Sequence, residues 1–165
     1  MNSRDLFRIT QWMAVLLFGL YVFIVAFGNL TDYRSNLIFV EGVLSMSTTF
    51  DENNLMWRAI ESTFIHHLIY ISIILMEITI AFFCLIGSYK MVYNLKNDTK
   101  QFHESKRYGI AGLLLGFILW FFGFQIIAGE WFAMWQSEIF NALDSAFRIT
   151  TYIMLSLILL FIKEP

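Results

Sequence analysis

The sequence predicts an all-α, four-span antiparallel helix bundle set in a membrane, with short interfacial helices on its outer side. Three observations carry this. Apolar runs close to the roughly 20 residues that cross a bilayer core as helix recur at residues 9–28, 67–88, 108–128 and 145–162. The composition is 58% hydrophobic and 15% charged with a mean hydropathy of +0.64, where a water-soluble domain carries about 25% charged residues. Finally, lysine and arginine are sorted to alternate sides of the four runs. One proline and nine glycines leave little material for a linker, so the 165 residues read as a single integral membrane domain.

The first run, 9–28, holds no charge. Arg4 and Arg8 ahead of it and Ala26-Phe27-Gly28 at its end have the layout of a cleaved signal, but an apolar stretch of about 19 residues exceeds the usual signal core, so a retained span is expected. The outer segment 29–66 is long for a bare connection. Leu37, Ile38, Val40, Val43 and Leu44 predict one helix over 35–46, and Thr49 to Glu52 reads as a capping box opening a second through Trp57 and Ile60. The second run holds one charge, Glu77. A basic loop, 89–107, leads to the third run, and the outer segment 129–144 leads to the fourth. In that segment Trp131 and Trp135 stand four apart, on one face of an expected short interfacial helix.

Orientation follows from the basic residues near span ends. Arg4, Arg8, Lys90, Lys96, Lys100, Lys106, Arg107 and Lys163 fall on one side, and only Arg34, Arg58 and Arg148 on the other. Both termini are therefore expected in the cytoplasm. Trp57, Trp131 and Trp135 near the outer span ends suit the headgroup zone, where an indole keeps its ring in lipid and its N–H in water.

Composition also narrows function. A lone cysteine, Cys84, builds neither an internal disulfide nor a four-cysteine zinc site. A net charge of -2 and a pI near 5.9 give no basic footprint for nucleic acid. No phosphate-binding glycine loop or nucleophile elbow is present, so no catalytic residue is assigned.

Glu77 is the leading chemical candidate, because a carboxylate within a span normally faces protein or water. His66, eleven residues earlier, lies within about 20° of the same helical face and about 16 Å nearer the outer end, with Tyr70 between them. The candidate feature is a polar track of Glu77, His66 and Tyr70, serving a relay or a headgroup site; the plainer reading, which is preferred, is that span two simply packs there, with Glu77 neutral and bonded to a neighbouring hydroxyl or amide. Adjacent His66 and His67 point about 100° apart and do not form a shared ligand pair, so no metal and no cofactor are expected. Glu130, Trp131, Trp135 and Arg148 form an expected outer-face cap, with Arg148 paired to Asp144, four residues earlier, or to Glu130; the alternative is that it meets Glu77 or an anionic headgroup. Gly112, Gly116 and Gly123 share a face of span three that admits close helix packing, within the chain or with another subunit.

The strings FGNLTDY at 27–33, SMSTTF at 45–50, MWRAI at 56–60, GEWFAMWQS at 129–137 and AFR at 146–148 resemble a bacterial family, domain-of-unknown-function family 2165, described as predicted small integral membrane proteins. The similarity spans most of the chain. It implies a four-span protein of the bacterial inner membrane and supplies no activity.

The expected function is accordingly non-enzymatic: a small structural or accessory subunit whose partners are the lipid bilayer and either another membrane protein or a second copy. The alternative is a proton- or cation-coupled transporter using Glu77 and His66. A quinone- or metal-binding oxidoreductase component ranks third.

Overall fold

The computed structural model describes residues 2–164, and among these there is no strand. Helix α1, Ser3–Thr31, opens where the Asn2 side chain accepts a hydrogen bond from the Asp5 amide at 2.8 Å, satisfying one of the orphan donors of the first turn. Seven of its eight buried residues, Arg8, Gln11, Val15, Phe18, Val22, Ala26 and Asn29, recur at spacings of three and four, with Gly19 beside Phe18, and so form one inward stripe. The stripe is polar at both ends and apolar between.

After Asp32 the chain turns directly into α2, Tyr33–Leu44, the helix expected over 35–46. It ends in a Schellman cap, with Met46 N donating to Val43 O and Ser47 N to Gly42 O. Met46 occupies the left-handed position, φ 54°, which glycine usually fills; its side chain is buried there with Phe132, Ala133 and Met134. The second helix expected in this segment is absent. Thr49 Oγ1 turns back to Met46 O and Asn53 Oδ1 accepts from Leu55 N, local bonds that compete with helix. Only a 3-10 turn, Met56–Arg58, forms.

Helix α3, Thr63–Tyr93, is the second span. A short α4, Thr99–Ser105, leads into α5, Arg107–Phe117, whose axis continues as a π-helical segment, Ile118–Trp131. The interfacial helix expected after it is also replaced by a single 3-10 turn, Met134–Gln136, because Ala133 adopts φ 49° and breaks the helical path. Helix α6, Leu143–Phe161, completes the bundle.

Four helical stretches, Ser3–Thr31, Thr63–Tyr93, Thr99–Trp131 and Leu143–Phe161, are long and apolar enough to cross a membrane. Around the bundle α1 lies along α3, α3 along α5, and α5 with the π segment along α6; the contact of α6 with α1 is sparser. The core holds Val15, Phe18 and Val22 of α1, Ile80 and Cys84 of α3, Leu113 of α5 and Ile153 of α6. Two outer segments interlock over one end, through Thr48 Oγ1 and Ser137 Oγ at 2.6 Å and through the Phe140 ring, which sits on the bare backbone of Gly42. This is the capped end of the bundle; the other carries both described chain ends.

Candidate functional site

Glu77 lies halfway along α3 and is 4% exposed. Because α3 runs on past α1 to meet α2, its middle faces the capped end of α1. There Asn29 Nδ2 donates to Glu77 Oε2 at 2.7 Å. Asn36 Nδ2 of α2 in turn donates to Asn29 Oδ1 at 2.8 Å, and the Tyr70 hydroxyl donates to Asn29 O at 3.3 Å. Asn29 is thus the hub of a network joining α1, α2 and α3, and the buried Glu77 carboxyl is met by an amide donor. Beside it the Tyr33 hydroxyl and His67 Nδ1 are 2.8 Å apart and their rings stack.

The structure brings Glu77 and Tyr70 together through Asn29 but turns His66 elsewhere. His66 Nε2 is 2.6 Å from Ile60 O, pinning the chain just ahead of α3. Among the described residues no group of three or more His, Cys, Asp or Glu side chains gathers in a way that would hold a metal ion. Chemically, the network can hold helices in register and present one carboxylate to a donor. Replacing Glu77 with Leu is expected to strand the Asn29 amide and cost about 1–3 kcal/mol of stability, while Glu77→Gln keeps an acceptor and stays close to the unmodified protein; thermal unfolding in detergent reads the difference.

The four cap residues do not form one cluster. Arg58 stands between two indoles, 5.1 Å from the Trp57 ring and 4.6 Å from the Trp131 ring, and donates to the carbonyls of Glu130 and Trp131. The Glu130 side chain is exposed. Trp135 packs edge-on against Phe50 instead, with Phe50 N donating to Gln136 Oε1. Arg148 pairs with neither Asp144 nor Glu130: its guanidinium donates to Ser145 Oγ at 3.0 Å and remains exposed, since Ser145, one turn back on the same helix, lies closer to hand. Of the three glycines, Gly112 lies against Cys84 and the Ile80 carbonyl of α3, and Gly116 against Phe18 and Ile153. Gly123 meets no other helix within 4 Å and instead lines an apolar crevice with Phe39 and Ile73.

A second polar cluster, at the end carrying the termini, is absent from the sequence reading. Arg8 is fully buried. Its guanidinium grips both carboxylate oxygens of Glu164, at 2.8 and 2.9 Å, and donates to Leu95 O at 2.9 Å and Asn97 O at 2.7 Å. The Phe102 ring lies 4.5 Å below it, and Lys106 Nζ, over the same ring, donates to Leu160 O. One arginine therefore ties the start of α1, the loop after α3 and the end of α6. Its only sequence signal is a basic residue immediately before an apolar run.

Four membrane-length helices, an inward polar network and an apolar outer surface define a multi-pass integral membrane protein. A profile of the family described as predicted small integral membrane protein (DUF2165) matches residues 7–163, nearly the whole chain, and the protein belongs to that family. No match was found among curated proteins or among solved structures.

Proposed function

We propose that this protein is a non-enzymatic structural or accessory subunit of a complex in the bacterial inner membrane, with both termini in the cytoplasm. The carrying observation is the division of labour between inside and outside. Buried polar groups such as Arg8, Glu77, Asn29 and His66 hold elements of the fold to one another, whereas the capped end displays Phe50, Trp57, Trp135 and Ile139 to its surroundings. Exposed aromatic clusters of this kind are enriched at protein contacts. The lysine and arginine distribution supports the orientation, and the Arg8–Glu164 pair, at the end of the bundle carrying both described chain ends, is in keeping with it. The partner is another membrane protein or a second copy. Photo-crosslinkers placed at Trp57, Trp135 and Ile139 in native membranes are expected to give discrete protein adducts that a probe at Phe161, on a span, does not. Adducts to lipid alone from all four positions would overturn the reading.

A proton- or cation-coupled role for Glu77 is the second reading, favoured by a carboxylate held inside the bundle by a side-chain amide. It predicts that Glu77→Gln, while folding normally, abolishes pH-driven flux into vesicles.

A further inference from the structure

Where α6 closes on α1 the hydrogen bonds between the two helices lie toward the end carrying the termini. There Gln11 Nε2 donates to Leu159 O and the Tyr152 hydroxyl to Ala14 O. Toward the capped end they part around a groove of about 480 Å³, within the roughly 300–1,000 Å³ of small-ligand clefts. Phe18, stacked on Tyr21 and on Tyr152, forms its floor, Leu17 and Ile149 its walls, and Arg148 with Ser145 its upper rim. The groove lies between two spans, so it opens to lipid rather than to water; Leu17 is 53% and Tyr21 44% exposed.

Arg148 sits five residues into α6, about 7.5 Å of helix rise. It has no acidic partner within 4 Å among the described residues. A guanidinium on a lipid-facing surface is costly unless it meets an anion, and its planar fork of donors matches phosphate oxygens. The leaflet at the capped end supplies such an anion at that depth, joined to an apolar tail.

We infer that the α1–α6 groove is a binding site for one anionic phospholipid of that leaflet. Its phosphodiester bonds to Arg148 and Ser145, and one acyl chain lies over Phe18 between Leu17 and Tyr152. The bound lipid fills the seam that the protein leaves open and completes the ring of four spans.

Native mass spectrometry of the detergent-purified protein, titrated with palmitoyl-oleoyl phosphatidylglycerol or with the matching diacylglycerol, tests this. One phosphatidylglycerol is expected to bind the unmodified protein at about tenfold lower concentration than it binds Arg148→Gln, a loss of one hydrogen-bonded charge pair. Diacylglycerol, which lacks the phosphate, is expected to bind both alike and weakly. Leu17→Trp, which fills the tail seat while leaving the guanidinium in place, is expected to weaken phosphatidylglycerol binding as well, and decides the matter if Arg148→Gln does not assemble. Equal phosphatidylglycerol affinity in the unmodified protein and both variants overturns the proposal. So does diacylglycerol binding as tightly as phosphatidylglycerol, or a photo-crosslinker at Leu17 that captures a protein in place of lipid.

Discussion

Gly87→Ala is expected to destabilise the bundle by about 3 kcal/mol, the upper part of the range for overpacking a fitted core. A Cβ at Gly87 points at the backbone of Gly109, 2.6 Å from its Cα, where no side chain can rotate out of the way. The whole of α5 would have to move off α3. That movement also opens the next contact along the crossing, where Gly112 lies against Cys84 and the Ile80 carbonyl. In lipid this close approach is a main source of helix association, because burying apolar surface gains little against an apolar solvent. Gly28→Ala is the matched control: nothing lies within 4 Å of its added carbon, and the substitution is expected to be close to neutral. Unfolding midpoints of the two variants in one detergent measure the contrast.

Arg8→Ala is expected to cost about 2–3 kcal/mol, the scale of charge-assisted hydrogen bonds rather than of a fully buried ion pair, because Glu164, the charge left behind, is only partly buried. The loss exceeds a single bond, since Glu164, Leu95 O and Asn97 O all lose their donor. The same clamp gives stability a pH dependence. Partial burial pushes the Glu164 carboxyl upward, but hydrogen bonds from Arg8 and Thr99 and the charges of Arg8 and Lys106 outweigh it and hold the group below its ordinary value of 4.5. A carboxyl lowered by folding adds stability above its unfolded value, and that stability fades as pH falls through the folded one. The unfolding midpoint is therefore expected to fall on acidification below about pH 4.5. Glu164→Gln should start lower and show less of that fall; an unchanged acid limb in this variant would remove Glu164 as its source.

The elements that were legible in the sequence are those set by local properties. Sustained apolarity announces each span wherever the chain folds, because a helix is the segment that satisfies its own backbone in lipid. The helix Tyr33–Leu44 was legible through its apolar spacing alone. The capping-box pattern at Thr49 misled, since a hydroxyl that can cap a helix can equally bond a carbonyl three residues back, and Met46 O was within reach. The π winding of Ile118–Trp131 had no signature, because that stretch is apolar on nearly every face and its periodicity carries no information. It nevertheless brings Gln125 to Thr150 of α6, 2.9 Å apart.

What the sequence by itself determined is the solvent this protein occupies and the number of times it crosses it, since transfer of some 20 apolar residues into lipid is summed along the chain and needs no partner. Which polar residues matter was decided only by tertiary structure. Asn29 falls by sequence in the outer segment 29–66, yet it meets Glu77 forty-eight positions on. Arg8 looked like a topology charge, yet it closes on Glu164 at a separation of 156. A buried hydrogen bond is a relation between two helices, and no stretch of one of them records the other.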